Sequence, residues 1–145
     1  MAVRAIPEGF HSITPGMNVK GADKAIEFFK KAFGAEVKLR MATPDGNVAH
    51  AEVKIGDSIF MIGDAVRDPV QTLSAMLYVQ DSDAVFKRAV DAGATVKMPI
   101  ADQPWGDRAG RIVDPFGNQW FIATHKEDVS NEEIALRMKA LHAKA

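Results

Sequence analysis

The chain has no cysteine. That removes disulfides, thiolate metal ligands and a cysteine nucleophile together, and it fits a reducing compartment. An excess of charge of either sign is also missing, since 18 Lys and Arg stand against 19 Asp and Glu. A chain so balanced carries no electrostatic footprint of nucleic-acid or membrane-surface binding, and neither partner is expected. No apolar run approaches the length of a membrane span. The first nine residues hold no apolar stretch of the kind a secretory signal needs. The expectation is a soluble, cytoplasmic protein. Two nucleophile and phosphate signatures are absent as well: there is no Gly-x-Ser-x-Gly elbow and no Gly-x-x-x-x-Gly-Lys loop. No catalytic residue is assigned from sequence.

What is present is an ordinary globular composition, 47% hydrophobic and 26% charged over 145 residues. That length fits a single domain spanning residues 1–145, large enough to hide roughly 70% of its unfolded surface. Residues 13–20 read as a strand with an irregular start at Pro15-Gly16, because proline cannot donate to a sheet ladder. Ala22, Ala25, Ile26, Phe29 and Phe33 then share one helical face, with Lys24, Glu27, Lys30 and Lys31 opposite. Gly34 is placed to end that helix. Residues 36–41, 48–55 and 58–62 read as three strands. The turn Pro44-Asp45-Gly46-Asn47 and the hairpin Gly56-Asp57 separate them. In the second of these strands, alternation puts Val48, His50 and Glu52 on one face and Ala49, Ala51 and Val53 on the other. Residues 63–71 read as a linker.

The pattern recurs about sixty residues later. Val79 to Asp83 repeats Val19 to Asp23. Val85, Phe86 and Ala89 repeat the helix face of Ala25, Ile26 and Phe29. Gly93-Ala94-Thr95-Val96 repeats Gly34-Ala35-Glu36-Val37, and Gly117 to Ile122 stands where Gly56 to Met61 stood. In order and at near-constant offset, these matches describe an internal repeat of a strand-helix-strand-strand-strand unit. The α+β fold expected is two βαβββ modules, residues 10–65 and 72–125, followed by a C-terminal amphipathic helix over 129–143. Ser130 and Glu133 form a capping-box pattern there. Ile134, Met138 and Leu141 make an apolar stripe, and Glu133 can pair with Arg137. The stripe would cover the protein's own sheet or a second subunit.

The segment Trp105-Gly106-Asp107-Arg108 is the best functional candidate. Gly106 permits close backbone approach. Arg108 offers a planar fork for a carboxylate or phosphate, which Asp107 would orient or neutralise. The competing reading is a structural salt bridge, with Trp105 plugging a sheet edge. On the last strand, alternation puts Trp120 and Ile122 on one face and Gln119 and Phe121 on the other. His11, His50 and His125 lie in or beside strands, Glu52 shares a face with His50, and His142 sits on the tail helix. Glu52 would serve as a general base if it were buried beside His50.

Phe33-Gly34-Ala35-Glu36, Lys54 to Ser58, Asp91 to Ala94, Trp105 to Arg108 and Asp114 to Trp120, taken as an ordered set, resemble the vicinal oxygen chelate superfamily. This is the glyoxalase, bleomycin-resistance and extradiol-dioxygenase group, and its small PhnB-like glyoxalase-like branch is the most similar part. The resemblance covers about residues 6 to 142. It implies two βαβββ modules curled into a cup, and a homodimer. It also implies that Phe121 faces the cup while Trp120 packs on the helices. Metal enzymes of the superfamily take ligands from the first and last strand of each module. The matching positions here are Thr14, Met61, Ser74 and Phe121, and none is a histidine or carboxylate. The resemblance therefore points to metal-independent binding of a small, partly apolar organic molecule, with no cofactor. Trp105, Arg108, Tyr78, Phe121, Met61 and Asn18 are the expected contacts. Met76 would extend the apolar lining, and Thr14 and Ser74 would add hydrogen bonds. Two alternatives stay open. One is a glyoxalase-like lyase or isomerase with a displaced metal among His11, His50, Glu52 and His125. The other is a protein-interaction module docking through the C-terminal helix.

Overall fold

A computed structural model describes residues 2–144. The first module runs β1 (Gly16–Val19), α1 (Ala22–Phe33), β2 (Glu36–Ala42), β3 (Val48–Ile55) and β4 (Ser58–Asp64). The second runs β5 (Ser74–Tyr78), α2 (Ser82–Asp91), β6 (Thr95–Asp102), β7 (Asp107–Val113) and β8 (Gln119–His125), and α3 (Asn131–Ala143) follows. Each module makes its own four-stranded mixed sheet, ordered β1-β4-β3-β2 and β5-β8-β7-β6. In both, the first strand pairs parallel to the last and the remaining pairs are antiparallel. The architecture is α+β, with the same unit built twice. Among the described residues no helix is long and apolar enough to cross a membrane.

Helix α1 begins and ends on glycines in the left-handed region, Gly21 at φ 80° and Gly34 at φ 66°. A glycine has no side chain to cap the first turn, so the cap comes from the sheet. Asp64 Oδ1 accepts from the Ala22 amide at 2.8 Å, and its Oδ2 accepts from the Val48 amide at 2.7 Å. Sixty residues on, Thr124 does the same work for α2. Its Oγ1 accepts from the Ser82 amide at 2.9 Å and donates to the Val79 carbonyl at 2.8 Å. Each module thus fastens the free amides of its helix to the end of its last strand.

The two sheets share one core. Phe60 and Ile62 of β4, Trp120 and Ile122 of β8, and the inner faces of α1 and α2 all join a single buried cluster. The Trp120 ring lies 5.0 Å from Phe33, 5.6 Å from Phe29 and 6.3 Å from Phe60, so a side chain of the second sheet packs on the helix of the first. Burying a side chain of this size stabilises the fold by roughly 2–3 kcal/mol, and favourable ring geometry adds about 0.5–1.5 kcal/mol per pair. The expectation that Trp120 packs on the helices is met. The other face of each sheet points away from this core.

Three local expectations are corrected. The first strand is shorter than residues 13–20, beginning at Gly16, with the Pro15 carbonyl accepting from Met61 N at 2.9 Å. β4 runs on to Asp64, into the expected linker, because Gly63 and Asp64 pair with Asn18 and Val19. Val48 does not share the face of His50: the register steps from Met41↔His50 to Ala42↔Val48. Ala49 is the extra residue of a β-bulge, which turns Val48 into the core and leaves Ala49 exposed.

The tail helix forms as its capping pattern predicts, with Ser130 Oγ accepting from Glu133 N at 3.1 Å. The Glu133 carboxylate turns to Arg137 at 3.1 Å instead of returning to the cap. Arg137 also reaches Glu127 at 2.6 Å and the Pro104 carbonyl at 3.3 Å, which fixes α3 beside the turn before β7. Ile134 and Met138 are half-buried, and Leu136 and Leu141 are exposed.

Candidate ligand-binding face

The face of the second sheet that turns away from the core is built in cross-strand rows. Met76, Phe121, Arg111 and Met98 are register partners across β5, β8, β7 and β6. The next row is Tyr78, Ala123, Ala109 and Ala101. The last is His125 opposite Asp107. Only methyl-sized side chains separate Tyr78 from Asp107, so the phenol can lie across the sheet and reach the carboxylate.

Asp107 is the polar centre of this face and is only 2% exposed. Its Oδ2 accepts from the Tyr78 hydroxyl and from Trp105 Nε1, each at 2.9 Å. Its Oδ1 lies 2.7 Å from His125 Nδ1, and His125 Nε2 lies 2.8 Å from Asp128 on the surface. Three partners compensate the buried carboxylate, as a charge at such depth requires. Burial, and then the Asp107 hydrogen bond, push the Tyr78 hydroxyl up from its ordinary value. The Asp128 carboxylate first, and Asp107 second, raise His125.

The expected contact residues divide among several places. Tyr78 and Trp105 converge on Asp107, and Phe121 stands on the same face with the Arg111 guanidinium 5.5 Å from its ring centre. Met61 and Asn18 belong to the first sheet, where Asn18 exchanges backbone hydrogen bonds with Gln71. Arg108 points to the helix side of its sheet. Its fork holds Asp83 of α2 at 2.7 and 2.9 Å and Asp102 at 3.2 Å. The idea that Asp107 orients Arg108 is therefore overturned, because neighbours on one strand point to opposite faces. Arg111 and the Asp107–His125 pair escaped the sequence reading. Strand parity was the available signal, since residues 107, 109 and 111 must share the face of Phe121.

Beside this face lies a cleft of about 530 Å³ between the N-terminal arm, the β3–β4 hairpin and the edge strand β5. Ile59, Leu77, Met76 and Trp120 supply its apolar wall, and His11 and Ser58 are among its polar residues; Tyr78 lines it too, with its hydroxyl turned away to Asp107. Met76 and Tyr78 belong to both the cleft and the sheet face. Met61 and Phe121 do not line the cleft, so the single lining expected to join Met61, Met76, Tyr78 and Phe121 is divided between two faces within one chain.

The family model described as Glyoxalase/Bleomycin resistance protein/Dioxygenase superfamily matches residues 9–122. The chain belongs to this superfamily. An uncharacterised protein of Mycobacterium bovis is 35% identical over 152 residues, covering 97% of each chain. Two solved structures share the fold. TnmS3, an antibiotic-binding protein from Streptomyces sp. CB03234, is 23% identical with a TM-score of 0.65 over 86% of this chain and 100% of its own. A PhnB protein from Bacillus cereus is 20% identical with a TM-score of 0.62, over 79% of this chain and 99% of its own.

Superfamily metal chemistry can be tested against the donors present. Met61 and Phe121 occupy the β4 and β8 positions, Ser74 opens β5, and Thr14 precedes β1. A thioether, a phenyl ring and two hydroxyls do not suit a divalent ion that needs imidazole or carboxylate ligands. The displaced site is not assembled either. Among the described residues no three histidine, aspartate or glutamate side chains are placed to hold a metal. His50 pairs loosely with Glu52 at 3.6 Å, whereas His11 lines the cleft and His125 binds two aspartates through opposite ring nitrogens.

Proposed function

We propose that this superfamily member is a small-molecule binding protein that takes a small, partly apolar organic ligand without a metal. The observation that carries this reading is the cleft of about 530 Å³, apolar along Ile59, Met76 and Leu77, with His11 and Ser58 in its lining as polar groups. Ligand sites of that volume are typically mostly apolar with a few placed polar groups. The antibiotic-binding description of TnmS3, which shares the fold, agrees with it. Met76 and Tyr78, which line the cleft, are the proposed contacts there, and Phe121 and Trp105 are proposed as contacts on the adjoining sheet face.

A homodimer fits the same reading. Leu39 and Met41 on the first sheet and Met76 and Tyr78 on the second are exposed apolar side chains on the faces turned from the core. A second copy would bring a first-sheet face opposite a second-sheet face and so rebuild a cup containing both Met61 and Phe121. Sedimentation of the purified protein tests this part separately.

The binding test is a panel of neutral and charged aromatic compounds, read by melting shift and confirmed by calorimetry. Several compounds should raise the melting temperature, and Met76→Glu, which places a carboxylate in the apolar wall, should abolish the shifts while leaving the fold intact. A panel without any binder, or shifts that persist in Met76→Glu, would overturn the proposal.

A further inference from the structure

The second sheet carries a cation that pairs with no carboxylate among the described residues. Arg111 is half-buried, and its Nε is buried without any hydrogen-bond partner. Among the described residues it forms no salt bridge, whereas Arg40, Arg108 and Arg137 each hold carboxylates. Its register neighbours are Met98 on one side and Phe121 on the other, and its guanidinium lies 5.5 Å from the Phe121 ring centre. The acid on the same face, Asp107, already accepts from Tyr78 and Trp105 and contacts His125.

A half-buried guanidinium with no carboxylate partner among the described residues can take an anion from outside the chain through its terminal nitrogens, while its enclosed Nε stays unpaired. The Phe121 ring lies within cation–π distance of the guanidinium and favours its position on this face. A planar fork in that position matches a carboxylate bidentately. Met76, in the same cross-strand row, continues from Arg111 and Phe121 to the cleft. A ligand can therefore place an acid group on Arg111 and its apolar body along Phe121 and Met76.

We propose that Arg111 is the anion anchor of the binding face and that the ligand is a small aromatic carboxylic acid. This inference rests on the reading of that face as ligand-binding and names its ligand class.

The test compares 1-naphthoate with its neutral isostere 1-naphthamide by calorimetry on the full chain and on Arg111→Gln. The acid should bind about tenfold more tightly than the amide, the scale of one charge-assisted contact. In Arg111→Gln the two should bind alike. That variant should melt close to the parent, with only the small loss expected from the Phe121 contact, because the guanidinium holds no carboxylate among the described residues. Equal affinities in the parent, or a preference that survives Arg111→Gln, would overturn the anchor while leaving the binding reading intact. If neither probe binds and the broader panel also fails, both readings fall. If Arg111→Gln turns a dimer into monomers, or melts lower by far more than loss of the Phe121 contact explains, Arg111 pairs with a carboxylate of the protein, and the ligand assignment is wrong.

Discussion

Tyr78 on the edge strand β5 donates to Asp107 on β7 across an intervening strand, at 2.9 Å. The contact ties a residue of the cleft wall to a buried carboxylate, and it makes a direct measurement possible. Tyr78 is the chain's single tyrosine, so phenolate absorbance reports it alone. Burial and the neighbouring carboxylate both hold the proton on the hydroxyl. The absorbance midpoint should lie above the ordinary value near 10 and should fall toward it in Asp107→Asn. A normal midpoint in the parent, or no change in the variant, would show that the contact is not made in solution.

His125 gives a stability signal of definite sign. Asp128, and then Asp107, favour its protonated form, so its folded value lies above the ordinary 6.5. A raised folded value means that the stabilising contribution is fully present below about 6.5. It is lost as pH rises through the folded value. Denaturant midpoints measured from pH 6 to 9 should therefore decline more in the parent than in His125→Gln. NMR titration of the imidazole would locate the step. Equal slopes for the two proteins would remove His125 as the cause.

The elements were legible wherever their causes are local. Gly34 ends α1, the Pro44 to Asn47 turn joins β2 to β3, and the apolar spacing of Ala25, Ile26 and Phe29 marks the buried side of the helix. What stayed hidden depends on residues far apart in sequence. Asp64 reads as one more linker acid until the end of β4 is brought to Ala22 and Val48. The Ala49 bulge is a property of strand pairing and leaves no mark in composition. For the site, the sequence brought Trp105 and Arg108 to attention because they adjoin in the chain. Strand pleating then sends Asp107 and Arg108 to opposite faces, and only the first joins Tyr78 and His125.

Gly106 is expected to be intolerant of any side chain. It sits at φ 101°, and a Cβ there would collide with the Glu127 carbonyl oxygen. Its own carbonyl accepts from the Lys126 and Glu127 amides at 2.9 and 3.1 Å, so the loop after β8 lies directly against this turn. Gly106→Ala combines backbone strain with a steric clash and should cost about 3 kcal/mol or more. Gly46→Ala is the control. It shares a positive φ of 87° but has nothing within 4 Å of the added carbon, so strain alone applies, about 1 kcal/mol. Urea denaturation of the two variants should separate them clearly.

Arg108 and Arg111 make opposite predictions although only three positions apart. The Arg108 fork is closed by Asp83 and Asp102 on the α2 side of the sheet, and those carboxylates hold its guanidinium well above the usual range. A guanidinium engaged in this way has no free fork to offer a ligand on the other face. Arg108→Gln should therefore leave 1-naphthoate affinity within about twofold of the parent, a change too small for a lost charge-assisted contact. Its expected consequence is local: Asp83 loses its bidentate partner, and proton exchange at the first turn of α2 should quicken. If instead Arg108→Gln abolishes naphthoate binding while Arg111→Gln does not, the two arginines exchange roles and the ligand lies on the helix side of the sheet.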